Sequence, residues 1–167
     1  GLFQGLTLGY ALESMRSASH NHGGLIWSFN DAWGEIGWSI VDYYGVRKIA
    51  YPFVKRALEP ARLVLRQRDD QIAVICLNDS PETLAFEIEC GYISFAGDKL
   101  DVDCVAVTVP AFAKAAVVAR IRKGPHDTRR GAYYAWPNGD CAIRPASLRS
   151  PHRARPASSR RGSCRHA

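Results

Sequence analysis

From Ala61 onward the apolar residues of this 167-residue chain stop recurring every three or four positions and begin to alternate. Before that point the spacing is helical, and after it Leu63-Val64-Leu65, Ile72 to Leu77, Leu84/Phe86/Ile88, Tyr92 to Phe95, Val102 to Val107 and Ala115 to Ile121 follow one another at intervals of about ten residues. Asp69-Asp70, Asn78-Asp79-Ser80-Pro81 and Gly97-Asp98 supply turn residues between the runs. Four to six short strands so spaced predict an antiparallel β-sandwich over residues 61–142, with Tyr133 to Trp136 as a last strand. Alternation puts Leu63, Val74, Cys76, Phe86, Ile88, Val105, Val107 and Val117 on its inward faces.

The first sixty residues read differently. Leu2, Leu6, Tyr10 and Met15 fall at helical spacing, which predicts an amphipathic helix from Leu2 to Ser19 that ends at the polar, glycine-rich His20-Asn21-His22-Gly23-Gly24. Leu25-Ile26-Trp27-Ser28-Phe29 is a short apolar run suited to a buried strand. A second helix is expected within Val46 to Leu58, where Pro52 marks either a kink or the true first turn. A single buried strand between two helices cannot be a domain, because its backbone groups need neighbouring strands on both edges. Those neighbours are not in the sequence. Leu25, Ile26 and Phe29 should therefore be more exposed than the residues of a paired strand.

The net charge of +6 is unevenly spread: residues 1–120 carry a balance of −3 and residues 121–167 one of +9. From Arg144 to the end there are seven arginines and no acid, which reads as a basic, disordered tail over residues 143–167. It lacks the interleaved aromatics of a nucleic-acid site, so no specific nucleic acid is expected as a partner. No apolar run reaches the roughly 18 residues of a membrane span, and no membrane partner is expected. No signal segment is visible, and no compartment is assigned. The five cysteines show no CxxC spacing, and Cys76, Cys90 and Cys104 sit in strand-like runs where a thiol acts as a small hydrophobe. No metal or cofactor is expected; His20 and His22 form a loop pair without further ligands.

The stretch from Gly24 to Gly45 holds three of the four tryptophans, with Asn30, Asp31, Glu35 and Asp42 among them. A flat ring at the end of a strand, beside an amide and a carboxylate, suits carbohydrate: the C–H face of the sugar stacks on the ring while its hydroxyls meet the polar groups. A tryptophan-rich core has the same composition. Trp27, Asn30 and Asp31 are the candidate substrate-binding residues. Asp31 equally suits a role in fixing its loop through backbone N–H groups. Trp33 and Trp38 are expected to pack, and Asp42 and Lys48 to pair near the start of the second helix.

The order of these residues resembles the end of the catalytic barrel in glycoside hydrolase family 2, closest to its β-mannosidase branch. Trp27, Asn30-Asp31, Trp33, Trp38-Ser39, Asp42-Tyr43, Gly45 and Lys48 are in register with the motif of the final barrel strand, as are Gln4, Ala11, Glu13 and Arg16 in the helix before it and Lys55-Arg56-Ala57 and Glu59-Pro60 after it. Ser28 stands where that branch has Gln, and Gly34-Glu35 where it has Pro and its neighbour. The resemblance implies a mixed fold, in which residues 1–60 are the last helix–strand–helix of a (β/α)8 barrel and an immunoglobulin-like sandwich follows. It also implies a retaining exo-β-glycosidase acting on an oligosaccharide or other glycoside, with Trp27 beneath the sugar. The two catalytic glutamates of the family lie after earlier strands, so no catalytic residue is assigned here and the chain's missing partner is its own N-terminal barrel. The other reading, from a different class, is a noncatalytic sandwich that binds carbohydrate or a protein.

Overall fold

The computed structural model describes residues 1–18, 20–21, 23–34, 37–138, 143 and 146–148. The chain divides into two compact units, Gly1–Glu59 and Pro60–Ala167.

Two helices, α1 (Leu2–Ser17) and α2 (Tyr51–Ala57), are formed in the first unit. Pro52 sits in the first turn of α2, where its missing N–H costs no helical hydrogen bond. The face of α1 that is buried is the one with Gly5, Gly9 and Leu12, not the stripe of large apolar residues. A Cβ on Gly5 would come within 2.5 Å of the Phe53 ring and 3.1 Å of the Ala50 backbone, so glycine is what lets α2 approach. Leu2, Leu6 and Tyr10 are consequently exposed, against the expectation that they face a core. The small core of this unit is Leu12, Ile40, Val41, Ala50, Val54 and Ala57, with Leu8, Ile26 and Tyr51 packed on it. Arg16 Nη1 donates to the carbonyl of Ala57 (2.5 Å) and so ties α1 to the end of α2.

No strand forms over Leu25–Phe29. Leu25 is fully exposed and Phe29 is 62% exposed. Among the described residues the expected strand has no flanking strands to satisfy its edges, and the pairing left is two one-residue bridges, Asn30 with Val41 and Val41 with Arg47.

Seven strands are described in the second unit: β1 (Ala61–Arg68), β2 (Gln71–Asn78), β3 (Leu84–Ser94), β4 (Lys99–Val109), β5 (Ala116–Arg122), β6 (Gly131–Pro137) and β7 (Ala146–Leu148). They make two antiparallel sheets, ordered β1-β2-β5 and β4-β3-β6-β7, and form a β-sandwich. Leu63, Leu65, Ile72, Val74, Cys76 and Ile121 of the first sheet meet Ile88, Cys90, Tyr92, Val107, Val109, Tyr133 and Ala135 of the second in one apolar core. Asn78 is fully buried and organises the β2–β3 connection. Its Nδ2 donates to the carbonyls of Glu82 (2.8 Å) and Pro110 (2.9 Å), and its Oδ1 accepts from Ser80 N (3.0 Å) and Oγ (2.6 Å).

Of the eight residues expected to point inward, Leu63, Val74, Cys76, Ile88 and Val107 are buried in this core and Phe86 and Val105 pack against it. Val117 does not, being half exposed. The β2–β5 register shifts between Val74 and Ile75, which pair with Ala119 and Val117. The unpaired Val118 is the extra residue of a bulge, and it turns inward in place of Val117. A second correction concerns the end of the sandwich, placed at residue 142 by the sequence. Ile143 and Ala146 belong to the core, and β7 pairs with β6 from Tyr133↔Leu148 to Ala135↔Ala146, covering an edge that β6 would otherwise leave open. The remainder of the arginine-rich stretch lies outside the described residues.

Glu89 is buried on the other face of the four-stranded sheet, where Lys99 Nζ (2.7 Å) and the Tyr134 hydroxyl (2.8 Å) satisfy its Oε1. Cys76 and Cys90 are buried thiols. Burial, reinforced by the charges of Asp103 and Glu89, pushes the Cys90 thiol up to about 11. Cys104, on the exposed face of β4, is disulfide-bonded and so departs from the expectation of a free thiol. Because a thiolate is the reactive species, iodoacetamide at pH 8 should leave Cys76 and Cys90 unmodified in the native chain and label both in denaturant. Peptide mapping checks this, and native labelling of Cys90 would contradict the burial.

Candidate functional site

Residues 27–48 double back on themselves around Val41. Val41 N donates to Phe29 O (3.2 Å) and Asp31 N to Val41 O (3.1 Å), while Asp42 N donates to Val46 O (2.9 Å) and Lys48 N to Ile40 O (3.0 Å). The return is closed by Asp42, whose Oδ1 accepts from the amides of Tyr44 (2.9 Å) and Val46 (2.8 Å). Gly45 completes the turn with φ +80°, a conformation that side chains disfavour. Asp42 is therefore a turn former, and the expected Asp42–Lys48 pair is replaced by another.

That other pair is Lys48 with Asp31. Lys48 Nζ lies 2.5 Å from Asp31 Oδ2, and Asp31 is only 4% exposed. Ser39 Oγ lies 2.6 Å from Asp31 Oδ1 and 2.7 Å from Val41 O, so its single proton serves one of two acceptors. The Lys48 ammonium and then the Ser39 hydroxyl hold the Asp31 carboxyl below its usual range, outweighing the opposite effect of burial. Lys48 Nζ also reaches Gly37 O (3.4 Å), and Gln4 Nε2 of α1 donates to Trp38 O (2.6 Å) and Ser39 O (3.3 Å). The backbone from Gly37 to Ser39 is thus pinned.

The aromatic residues are held out from this frame. Trp27 is 91% exposed, and Trp33 and Trp38, expected to pack, are 64% and 83% exposed in this chain. The Trp27–Ser28 peptide is cis. Asn30 is exposed; its Nδ2 donates to Asp31 O (3.2 Å) and its carbonyl accepts from Ser28 Oγ (3.1 Å). Trp27, Asn30 and Asp31 thus occupy one short segment, with Trp27 and Asn30 open and both carboxylate oxygens of Asp31 engaged within the protein. His22 and Glu35 lie outside the described residues. Sequence reasoning missed Ser39 and Gln4 as partners of this segment. Both stood in register with the family motif, but no local periodicity joins positions 4, 31, 39 and 48.

Over 46 residues the chain is 46% identical to β-mannosidase B of Thermothelomyces thermophilus, and over 69 residues 38% identical to β-mannosidase B of Aspergillus niger. These stretches are 28% and 41% of the chain but only 5% and 8% of the fungal proteins. A crystal structure of the β-D-mannosidase from Dictyoglomus thermophilum superposes on 87% of the chain with a TM-score of 0.80 and 28% identity. The chain is related to the C-terminal region of the β-mannosidase branch of glycoside hydrolase family 2. It spans 18% of the Dictyoglomus chain, less than a fifth of that β-mannosidase. The exo-chitosanase of Amycolatopsis orientalis shares the fold, with a TM-score of 0.58 at 21% identity over 79% of the chain. No protein-family model matches.

Proposed function

We propose that the chain is the C-terminal part of a retaining, β-mannosidase-like exo-glycosidase that removes terminal β-linked sugars from oligosaccharides. The observation that carries this reading is the likeness to the Dictyoglomus β-D-mannosidase, in which 28% identity accompanies a TM-score of 0.80. In this reading residues 1–60 complete a (β/α)8 barrel whose other strands precede Gly1, and the immunoglobulin-like sandwich follows it in the chain. The exposed apolar residues of the first unit support it: Leu2, Leu6, Tyr10, Leu25 and Phe29 are the surface that neighbouring barrel elements would cover.

Trp27 then forms the floor of the sugar site, offering its ring to the C–H face of the glycone, and Asn30 presents its amide to a hydroxyl beside it. Retaining hydrolysis needs two carboxyl groups about 5 Å apart, one attacking the anomeric carbon and one protonating the leaving oxygen. Those two glutamates belong to the part of the protein before Gly1. The 167-residue chain alone should release no nitrophenol from p-nitrophenyl β-mannoside, and the same protein extended upstream through its barrel should. Turnover by the chain alone, above a mock preparation, would overturn the proposal. An extended protein that bound sugar without hydrolysing it would overturn it in favour of a noncatalytic module.

A further inference from the structure

We infer that Asp31, Ser39 and Lys48 form a clamp that positions Trp27 and Asn30 for the sugar without touching it. This rests on the reading of Trp27 as the sugar platform. Trp27 is almost wholly exposed in the 167-residue chain, so among the described residues its ring is carried by the backbone from 27 to 31 and not by side-chain packing. That backbone has two hydrogen bonds to Val41 and then ends in Asp31, where the charge pair with Lys48 and the contact with Ser39 converge. The three residues come from three separate stretches: the platform itself, the end of the loop bearing Trp33 and Trp38, and the approach to α2. Lys48 is itself anchored through its amide to Ile40 O. The clamp therefore joins the platform to the core around Ile40, Val41 and Val54.

Asp31 is unsuited to a direct sugar contact. The residue is 4% exposed, both carboxylate oxygens have partners within the protein, and a hydroxyl would have to displace the Lys48 ammonium to reach it. Removing one member leaves the other charge uncompensated, and the local structure must shift to solvate it. A shift of about 1 Å in a group that acts at the transition state lowers turnover by up to about a hundredfold. Asp31, Ser39 and Lys48 are positioning residues in this sense.

The test compares Lys48→Met, Asp31→Asn and the double variant with Lys48→Arg and Trp27→Ala in the upstream-extended enzyme. Lys48→Met and Asp31→Asn should each lower kcat about tenfold or more with KM within about twofold. The double variant should be no worse than either single one, and Lys48→Arg should restore most of the activity. A wild-type kcat in Lys48→Met, or a raised KM confined to Asp31→Asn, overturns the clamp while Trp27→Ala still registers the platform. If Trp27→Ala keeps full activity, the platform reading fails and the inference with it. Hydrogen exchange in the 167-residue chain is independent of catalysis: Lys48→Met should speed exchange at the Asp31 and Val41 amides at least tenfold and leave the sandwich amides unchanged. Unchanged exchange at both amides overturns the clamp even if the enzyme variants do not fold.

Discussion

Leu63→Ala is expected to destabilise the sandwich by about 2–5 kcal/mol, whereas Val117→Ala should change it by about 0.5 kcal/mol or less. Leu63 is fully buried and pairs across β1–β2 with Cys76, facing the second sheet, so truncation leaves a cavity that the surrounding strands can only partly close. Val117 is half exposed because the bulge at Val118 has rotated it outward. For a domain of this size each kcal/mol corresponds to roughly 4–8 °C in melting temperature, so the two variants separate by about 6 °C or more. Circular dichroism of the full chain during heating checks it. Equal losses would mean that the alternation in β5 runs unbroken and that Val117 lies in the core.

The same pair of residues shows what the sequence makes legible. The sandwich was readable because its strands have one wet and one dry face, and Leu63, Val74, Ile88 and Val107 obey the resulting period of two. A bulge inserts one residue without any marker of its own: Val117 and Val118 are chemically identical, and only the pairing of β5 with β2 decides which turns inward. The first helix failed in a different way. Leu2, Leu6 and Tyr10 form a genuine apolar stripe, yet the side that meets α2 is chosen by the two glycines, which permit close approach where large side chains would prevent it. At the candidate site Trp27, Asn30 and Asp31 could be found because they are adjacent. The Asp31–Lys48 pair could not, since its members are seventeen positions apart and the nearer Asp42 was the obvious partner. Asp42 is instead consumed by the amides of its own turn, a local competition that an Asp shortly before a glycine often wins.

In the upstream-extended enzyme, Trp27→Ala should lower kcat/KM for a β-mannoside by about a hundredfold, or about 3 kcal/mol of transition-state stabilisation. A stacking platform acts through apolar area and C–H contact, and that contact tightens as the sugar ring flattens towards an oxocarbenium-like geometry. The exposure of the tryptophans makes the test discriminating. Trp27 is 91% exposed in the chain, so its replacement removes almost no packing and the melting temperature of the 167-residue chain should stay within about 2 °C. A kinetic loss in an extended enzyme that also melts normally then has no origin in unfolding. Trp33 and Trp38 are the internal comparison: their exposure of 64% and 83% takes away the large-to-small penalty of buried aromatics, and alanine at either should likewise leave melting unchanged. If all three variants melt normally and only Trp27→Ala loses turnover, the platform is distinguished from two other exposed tryptophans. If Trp33→Ala or Trp38→Ala costs as much as Trp27→Ala, the sugar meets that tryptophan as well, and the floor of the site is wider than one ring.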